Sequence, residues 1–515
     1  MFTIPELTDR AVRLFPEKPF IYFNDKIITY ANFGLQTSKL ADVLTSLGSK
    51  KGSKVGYFFP NTPMIAIFDV GIQKIGGVTI PINIMSKSRE LTHIINDSEA
   101  ETLITDDNGY EIISKIRDMV PSLKHVLVKS GKAHDGCHSL DELMDRASDQ
   151  FTSIIVEPED LTAVLYTSGT TGFPKGAMQT QKSVYYGVTH ASSALKVRYA
   201  KEKVLCVMPF FNNFGRVALL TALNSCGSIV LIERFDVEKV LSEMTKHSPT
   251  VFLGVPTMFV FLLAAFKPDE HIMSLKTALT AGAKCPSDLM KQYMERFPSL
   301  NLVEAYGATE LCGICSLNPP AGKKKIGSAG PPIGDAIIKI VDDDGNVLKT
   351  LEIGEVVVDT ETLIKGYLND PENTQKAFKP EGWYSGDVGY IDEDGYLFIV
   401  ERKKDLIIRG GNNIFPAEVE GIICSHSAVS MAAVIGIPDY TKGELPKAFV
   451  VLNKGQKVTE DELGAYCRAN MAVYKVPVAF EFVEQLPLSN IGKILRRELR
   501  ELELAKIRNS VKEVE

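Results

Sequence analysis

Between Thr29 and Asp106 the apolar positions switch repeatedly between two periods. An amphipathic run (Phe33, Leu35, Leu40, Val43, Leu44, Leu47) leads into the strand-like Val55-Gly-Tyr-Phe-Phe59. Then come Met64 to Ile75, Val78-Thr-Ile-Pro-Ile82, Glu90 to Ile95 and Thr102-Leu-Ile-Thr105. Helical spacing alternating with short continuous apolar runs is the rhythm of a parallel sheet with helices on its faces. Met64 to Ile75 is apolar nearly all round, which predicts a helix buried on every side. The rhythm returns through Val204-Leu-Cys-Val-Met208, Ser228-Ile-Val-Leu-Ile232, Thr250-Val-Phe-Leu253, Thr277-Ala-Leu-Thr280 and Leu302-Val-Glu-Ala305. Two sets of βα units predict two related sheets, with ligands beyond the carboxyl ends of their strands. The polar stretches Ala281-Gly-Ala-Lys284 and Tyr306-Gly-Ala-Thr-Glu310 fall there.

Near residue 330 the pattern changes. Ile337-Ile-Lys-Ile-Val341 before Asp342-Asp-Asp-Gly345 predicts a hairpin with an Asp-Gly turn. So does Gly389-Tyr-Ile391 before Asp392-Glu-Asp-Gly395 and Tyr396-Leu-Phe-Ile-Val400. The charged Glu401-Arg-Lys-Lys-Asp405 then precedes a tail with a helix from near Pro416 and strands near Val429 to Ile435 and Phe449 to Leu452. A helix from Thr459 to Cys467 and a strand near Phe480 to Val483 complete it. A compact α+β module on a short polar hinge accounts for this pattern. The predicted class is α/β, with two βα sheets and a small antiparallel unit over about residues 325–400. A large domain spans 1–401 and a smaller one 402–515.

Composition narrows the function. In 515 residues, 45% apolar and 23% charged, a net charge of -7 argues against a protein whose task is to grip nucleic acid. Met1 to Lys18 mixes charges among its apolar residues, unlike a secretory signal, and no run of 18 apolar residues suggests a membrane span. Glu513-Val-Glu515 is not a peroxisomal address. A cytoplasmic chain is expected. The eight cysteines are scattered as reduced thiols are, and Cys312-Gly-Ile-Cys315 reads as packing or pocket wall rather than a metal or redox pair.

The chemistry concentrates in Thr167-Ser-Gly-Thr-Thr-Gly-Phe-Pro-Lys-Gly176, directly after the apolar Leu161-Thr-Ala-Val-Leu-Tyr166. Its glycines let backbone N–H groups approach an anion, its hydroxyls add donors, and Lys175 adds charge, a combination suited to polyphosphate. It is not a P-loop: Gly169 is followed too soon by Gly172, and Gly176 stands where a metal-binding hydroxyl belongs.

This loop resembles the signature of the acyl-adenylate-forming superfamily, and four further motifs follow in that family's order. The resemblance spans roughly residues 10–500. It assigns ATP binding to Thr167, Ser168, Gly169, Thr170, Thr171, Gly172 and Lys175, and to Gly282, Ala283 and Lys284. Tyr306-Gly-Ala-Thr-Glu310 matches the family's Y-G-x-T-E; the resemblance implies that Tyr306 packs on adenine beside Gly307, Thr309 meets the α-phosphate, and Glu310 holds Mg²⁺. In Trp383-Tyr-Ser-Gly-Asp387, Asp387 would hold the ribose hydroxyls with help from Arg402. Lys404 would be the hinge of a mobile C-terminal domain, and Gly410 and Gly411 would let the arm of CoA pass. Pro487-Leu-Ser-Asn-Ile-Gly-Lys493 supplies Lys493, a long-stemmed point charge able to reach a phosphate from another domain. Outside this company of motifs, the Thr-Glu pair reads as a helix cap and Gly-Lys as surface decoration.

The implied activity is that of an AMP-forming acyl-CoA synthetase using ATP, Mg²⁺ and CoA, with Lys493, Thr309 and Glu310 catalytic. The acid pocket is expected among Phe211, Asn212, Ala308 and Gly313, with Asn212 where many relatives carry histidine. No aspartate is placed to bind a substrate amine, so an apolar carboxylic acid is expected. A medium- or long-chain fatty acid leads, with aryl or alicyclic acids as the alternative. Free CoA is the expected acceptor, a carrier protein supplied in trans the alternative, and a homodimer is left open. Lys323-Lys-Lys325 reads as a solvated run rather than a CoA contact. A nucleotide-binding regulator without turnover would be expected to lack Lys493 or Glu310.

Overall fold

A computed structural model describes residues 1–132, 134–167, 174–266, 274–410, 412–489 and 494–512, the last six by their helical backbone alone. The first βα series forms a seven-stranded sheet. Its order is His138–Ser139, His125–Lys129, Thr102–Asp106, Lys54–Phe58, Val78–Ile82, Leu161–Thr167, Lys175–Thr180. All neighbours are parallel except the last pair, which runs antiparallel with Thr167 opposite Lys175. The second series forms an eight-stranded sheet: Gly313–Leu317, Asn301–Ala308, Thr277–Thr280, Val251–Gly254, Lys203–Cys206, Ser228–Leu231, Pro19–Phe23, Lys26–Thr29. It is parallel inside and antiparallel at both ends.

One large apolar core joins the two series, and the predicted all-round helix lies within it. The Pro63–Lys74 helix is buried from Ile65 onward. That burial includes Asp69, Gln73 and Lys74, which an apolar reading of the helix does not foresee. Lys74 Nζ is compensated by Asp9 Oδ1 at 3.0 Å and Ser38 Oγ at 3.3 Å. Asp69 finds its partner across the seam in Arg216, whereas Gln73 Nε2 donates within the first sheet, to the Thr162 carbonyl at 2.6 Å and to Thr79 Oγ1 at 3.0 Å.

The antiparallel unit comprises Ile337–Val341, Gly354–Asp359, Phe378–Lys379, Gly382–Ile391 and Leu397–Arg402. The second predicted hairpin forms as expected, with Ile391 opposite Leu397 across the Asp392–Gly395 turn. The first forms only at its tip, where the Asp342 N–H donates to the Asn346 carbonyl and the Leu348 N–H to the Ile340 carbonyl around a single Val341–Val347 bridge; the strand that pairs along Ile337–Val341 is Gly354–Asp359. The Asp342 carboxylate accepts the backbone N–H of Asp344 and of Asn346, closing a tight loop. The chain then needs eight more residues to reach its partner strand.

Lys323-Lys-Lys325 is also corrected, since it is no freely solvated run. Lys323 pairs with Asp394 at 2.6 Å, Lys325 bridges Asp392 and Asp394, and Lys324 reaches Asn301 Oδ1 at 2.6 Å. The two lysines at 323 and 325 hold the Asp394 carboxyl down at about 2.

The tail forms a five-stranded sheet of Asn412–Ile414, Ile407–Arg409, Gly443–Leu452, Val429–Asp439 and Ala479–Phe482. Pro416–Cys424, Glu460–Asn470 and Arg496–Lys512 are its helices. Arg496 pairs with Glu420 at 2.7 Å and Arg500 with Asp405 at 2.9 Å, fastening the last helix to the start of this module. Glu401 accepts the Ala417 N–H at 2.8 Å, so the end of the antiparallel unit caps the first helix of the tail.

Candidate active site

Tyr306 and Glu310, at the carboxyl edge of the second sheet, draw in Asp387, Arg402 and the loop around Tyr367. The strand Asn301–Ala308 ends in a single 3-10 turn, Thr309–Leu311, that lifts Thr309 and Glu310 out of the sheet. Cys312 then takes the left-handed conformation (φ 47°), and the chain returns antiparallel through Gly313–Leu317. The motif is therefore a strand end and reversal, and no helix is present for its Thr-Glu pair to cap.

Asp387 is buried and doubly engaged. The Tyr306 hydroxyl donates to Oδ2 at 2.5 Å and Arg402 Nε lies 2.9 Å from Oδ1. Burial, and then the adjacent Asp387 charge, push the Tyr306 phenol well above its ordinary range, so it stays a donor. Asp387 in turn raises Arg402. Asp387 and Arg402 face each other across paired strands.

Glu310 is held from the other side. Tyr367 donates its hydroxyl to Glu310 Oε1 at 2.9 Å, and the Glu310 carbonyl accepts the Ile364 N–H at 2.9 Å. Lys175 Nζ sits 5.4 Å from the centre of the Tyr367 ring. Tyr367 therefore links the base of the glycine-rich hairpin to Glu310. Sequence reasoning missed this residue, which belongs to no motif it used. That hairpin's base is fixed by the Thr167–Lys175 pair and by the Tyr166 hydroxyl, which donates to Asp97 at 2.7 Å. Ser168, Gly169, Thr170, Thr171 and Gly172 lie outside the described residues.

Gly282, Ala283 and Lys284 form an exposed turn after the strand Thr277–Thr280, with Gly282 at φ 85°. Behind them Glu304 is buried, its Oε1 accepting the Cys285 N–H at 2.9 Å, and burial pushes its carboxyl up to about 7. Burial, with Arg402 and Arg500 nearby, pulls the Lys404 ammonium down. Gly410 takes φ 57° and donates its N–H to the Lys442 carbonyl at 2.7 Å, while Gly411 lies outside the described residues. Lys493 also lies outside them. The base of its segment is closed by the Leu488–Ile494 bridge and by the Leu495 N–H to the Pro487 carbonyl at 2.9 Å.

A cavity opens from Gly307, Ala308, Thr309 and Gly282 and runs inward beneath this site. One wall is a helix face, with Asn213, Val217 and Thr221 at four-residue spacing beside Phe214 and Ala218. The opposite wall takes alternate residues Val251, Leu253 and Val255, one face of a strand. Val204, Leu195 and Val197 also line it, and none of its lining residues is charged. Asn212, Ala308 and Gly313 line the cavity as expected. Phe211 instead packs against the large core. Asn212 is the N-cap of the Asn213–Asn224 helix, its side chain accepting the Phe214 N–H at 2.8 Å.

Both portions of the chain match known families. The AMP-binding enzyme family matches residues 8–368, and the AMP-binding enzyme C-terminal domain matches residues 418–493. The chain is 34% identical over 527 residues to a long-chain-fatty-acid–CoA ligase of Bacillus subtilis (strain 168), covering 96% of this chain and 94% of that protein. It is equally 34% identical over 498 residues to a feruloyl-CoA synthase of an Amycolatopsis species, covering 95% and 97%. The fold superposes on the anthranilate CoA ligase AuaEII, solved with anthranoyl-AMP, with a TM-score of 0.92 at 28% identity, covering 98% of each chain.

Proposed function

The chain belongs to the AMP-binding enzyme family and is an AMP-forming acid–CoA ligase, and on that premise we propose that its acid is a medium- or long-chain fatty acid. The observation that carries this reading is the uncharged slot between the Asn213–Asn224 helix and the Val251–Gly254 strand. Val251 to Val255 spans about 13 Å at the usual rise of a strand. An alkyl chain entering past Gly307 and Gly313 would lie against aliphatic side chains over that length. Each methylene removed from water contributes about 0.8 kcal/mol.

In the first half-reaction an oxygen of the acid attacks the α-phosphorus of ATP in line, and pyrophosphate leaves. Positioning and charge stabilisation dominate such chemistry. Asp387 receives the two ribose hydroxyls on its carboxylate, which Arg402 holds in place from 2.9 Å. Tyr306 is oriented by its bond to Asp387, which leaves its ring to pack on the base. Lys175 and Thr167 stand at the base of the phosphate loop, and Thr309 faces the acid at the cavity mouth. Lys493 supplies charge at the phosphate.

Among the described residues no group of three or more His, Cys, Asp or Glu could hold a metal ion. A lone carboxylate fits Mg²⁺, which usually takes one or two protein oxygens and fills its shell with phosphate and water. Glu310, steadied by Tyr367, would hold it, and the bound ion would neutralise charge between the phosphates. In the second half-reaction the CoA thiolate attacks the acyl carbon, the acyl–oxygen bond breaks and AMP leaves. The pair Gly410-Gly411 is the passage proposed for CoA, with Lys404 as pivot between a large domain (1–401) and a small one (402–515).

Pyrophosphate release measured over saturated acids from C2 to C18, benzoates and hydroxycinnamates tests the acid. A kcat/KM that rises with alkyl length to a medium or long optimum supports the reading. A preference for a hydroxylated aryl acid, received by Asn212, Asn213 or Thr221, replaces it.

A further inference from the structure

A buried polar chain connects the seam between the two sheets to the reacting end of the acid slot. It begins with Asp69 and Arg216, whose side chains are 1% and 2% exposed. Arg216 Nε donates to Asp69 Oδ2 at 2.9 Å and Nη2 to Oδ1 at 3.4 Å. Nη2 also donates to Thr162 Oγ1 at 2.9 Å, and Nη1 donates to Gln179 Oε1 at 3.0 Å. Gln179 Nε2 then donates to Asn213 Oδ1 at 2.9 Å and approaches the Thr309 carbonyl at 3.5 Å. Asn213 Nδ2 donates to the Ala308 carbonyl at 3.1 Å.

The direction of this chain is fixed at its source. A guanidinium has only donors, so Gln179 must turn its oxygen to Arg216 and its amide N–H onward. Asn213 must then accept with its oxygen and donate with its nitrogen to the backbone. Asp69 locks the fork that starts the sequence. A buried ion pair is a poor source of stability, since apolar residues of similar volume serve as well. What these charges provide that an apolar pair does not is orientation.

The contributing segments come from both sheets. Asp69 is on the Pro63–Lys74 helix, Thr162 and Gln179 on antiparallel strands of the first sheet, and Arg216 and Asn213 on a helix of the second series. Asn213, Ala308 and Thr309 all line the acid cavity.

We propose that Asp69, Arg216, Gln179 and Asn213 are positioning residues for adenylate formation, holding the Ala308 and Thr309 carbonyls so that Thr309 and Glu310 meet the bound acid and nucleotide in register. The proposal rests on the assignment of this cleft to acyl-adenylate chemistry. It adds a device reaching it from the opposite sheet.

Gln179→Glu and Asn213→Asp separate positioning from structure. Gln179→Glu keeps an acceptor for Arg216 but cannot donate onward, and Asn213→Asp removes the donor to Ala308. The expected result is a kcat for acyl-AMP formation at least tenfold lower in each, with the KM for ATP within twofold and melting temperature within a few degrees of the parent. The double variant Asp69→Leu with Arg216→Met is expected to show the same loss of kcat without an unpaired buried charge. If that variant fails to fold, the two amide variants decide. Parental kcat in Gln179→Glu and Asn213→Asp, or losses that merely follow the fraction unfolded, overturns the proposal. An unmutated chain that forms no acyl-AMP overturns the assigned chemistry instead, so the two failures are distinct.

Discussion

Replacing Val251 with Phe tests the acid slot at its inner end. Val251 opens its strand and lines the cavity together with Leu253 and Val255, two and four residues nearer the reacting end. Phe adds about four carbons, which enter open space because the side chain faces the cavity. A fatty acid long enough to reach Val251 would lose room for about four methylenes, or about 3 kcal/mol at about 0.8 kcal/mol each. That corresponds to roughly a 200-fold fall in kcat/KM for long acids, since each 1.4 kcal/mol is about tenfold. Acids too short to reach the site keep the parental value. The assay is pyrophosphate release over a chain-length series, with a thermal melt to show that the variant is folded. A uniform loss at every length, or an unmoved optimum, would refute a slot running along this strand.

Asp387→Ala is expected to raise the KM for ATP and to abolish discrimination between ATP and its 2′,3′-dideoxy analogue; retained discrimination places the ribose elsewhere. Lys493→Ala is expected to lower adenylate formation by roughly 10² to 10³-fold, the usual cost of one preorganised charge, while thiolysis of supplied acyl-AMP survives. Equal loss of both half-reactions, measured separately, rejects that division of labour. Glu304→Gln probes a buried carboxyl pushed up to about 7. Between the ordinary carboxylate range and that value the folded chain keeps a proton that the unfolded chain has released. Stability therefore falls as pH rises through this window, by up to about 3 kcal/mol above it. Relative to the parent, the glutamine variant should gain melting temperature from pH 5 to pH 8. A difference that does not change with pH contradicts the assignment.

The βα alternation and the order of the motifs were legible because buried parallel strands and their helices leave opposite periodicities in the chain. The second Asp-Gly hairpin was legible because turn chemistry acts locally, and the first one, formed only at its tip, shows its limit. Asp342 closes its tight loop whichever strand pairs with Ile337–Val341, so the turn alone does not identify the partner. The Tyr306, Glu310, Asp387 and Arg402 assembly could be anticipated from motifs, but Tyr367 could not, since a lone tyrosine in a loop carries no sequence pattern. Asp69 and Arg216 left a usable signal: each is a charge inside a largely apolar buried helix, and such charges require partners. Their pairing joins residues 147 positions apart, which periodicity does not encode. Phe211 is expected in the pocket with its segment, yet the cap made by Asn212 starts the helix whose Asn213 and Phe214 line the cavity while Phe211 packs on the core.

The central claim is that this cleft joins a fatty acid to the α-phosphorus of ATP. A single turnover with ¹⁸O-carboxyl-labelled decanoate, ATP and CoA, followed by mass spectrometry of the products, tests it most directly. One labelled oxygen is expected in AMP and none in pyrophosphate. Label recovered in inorganic phosphate or pyrophosphate, with AMP unlabelled, would contradict it.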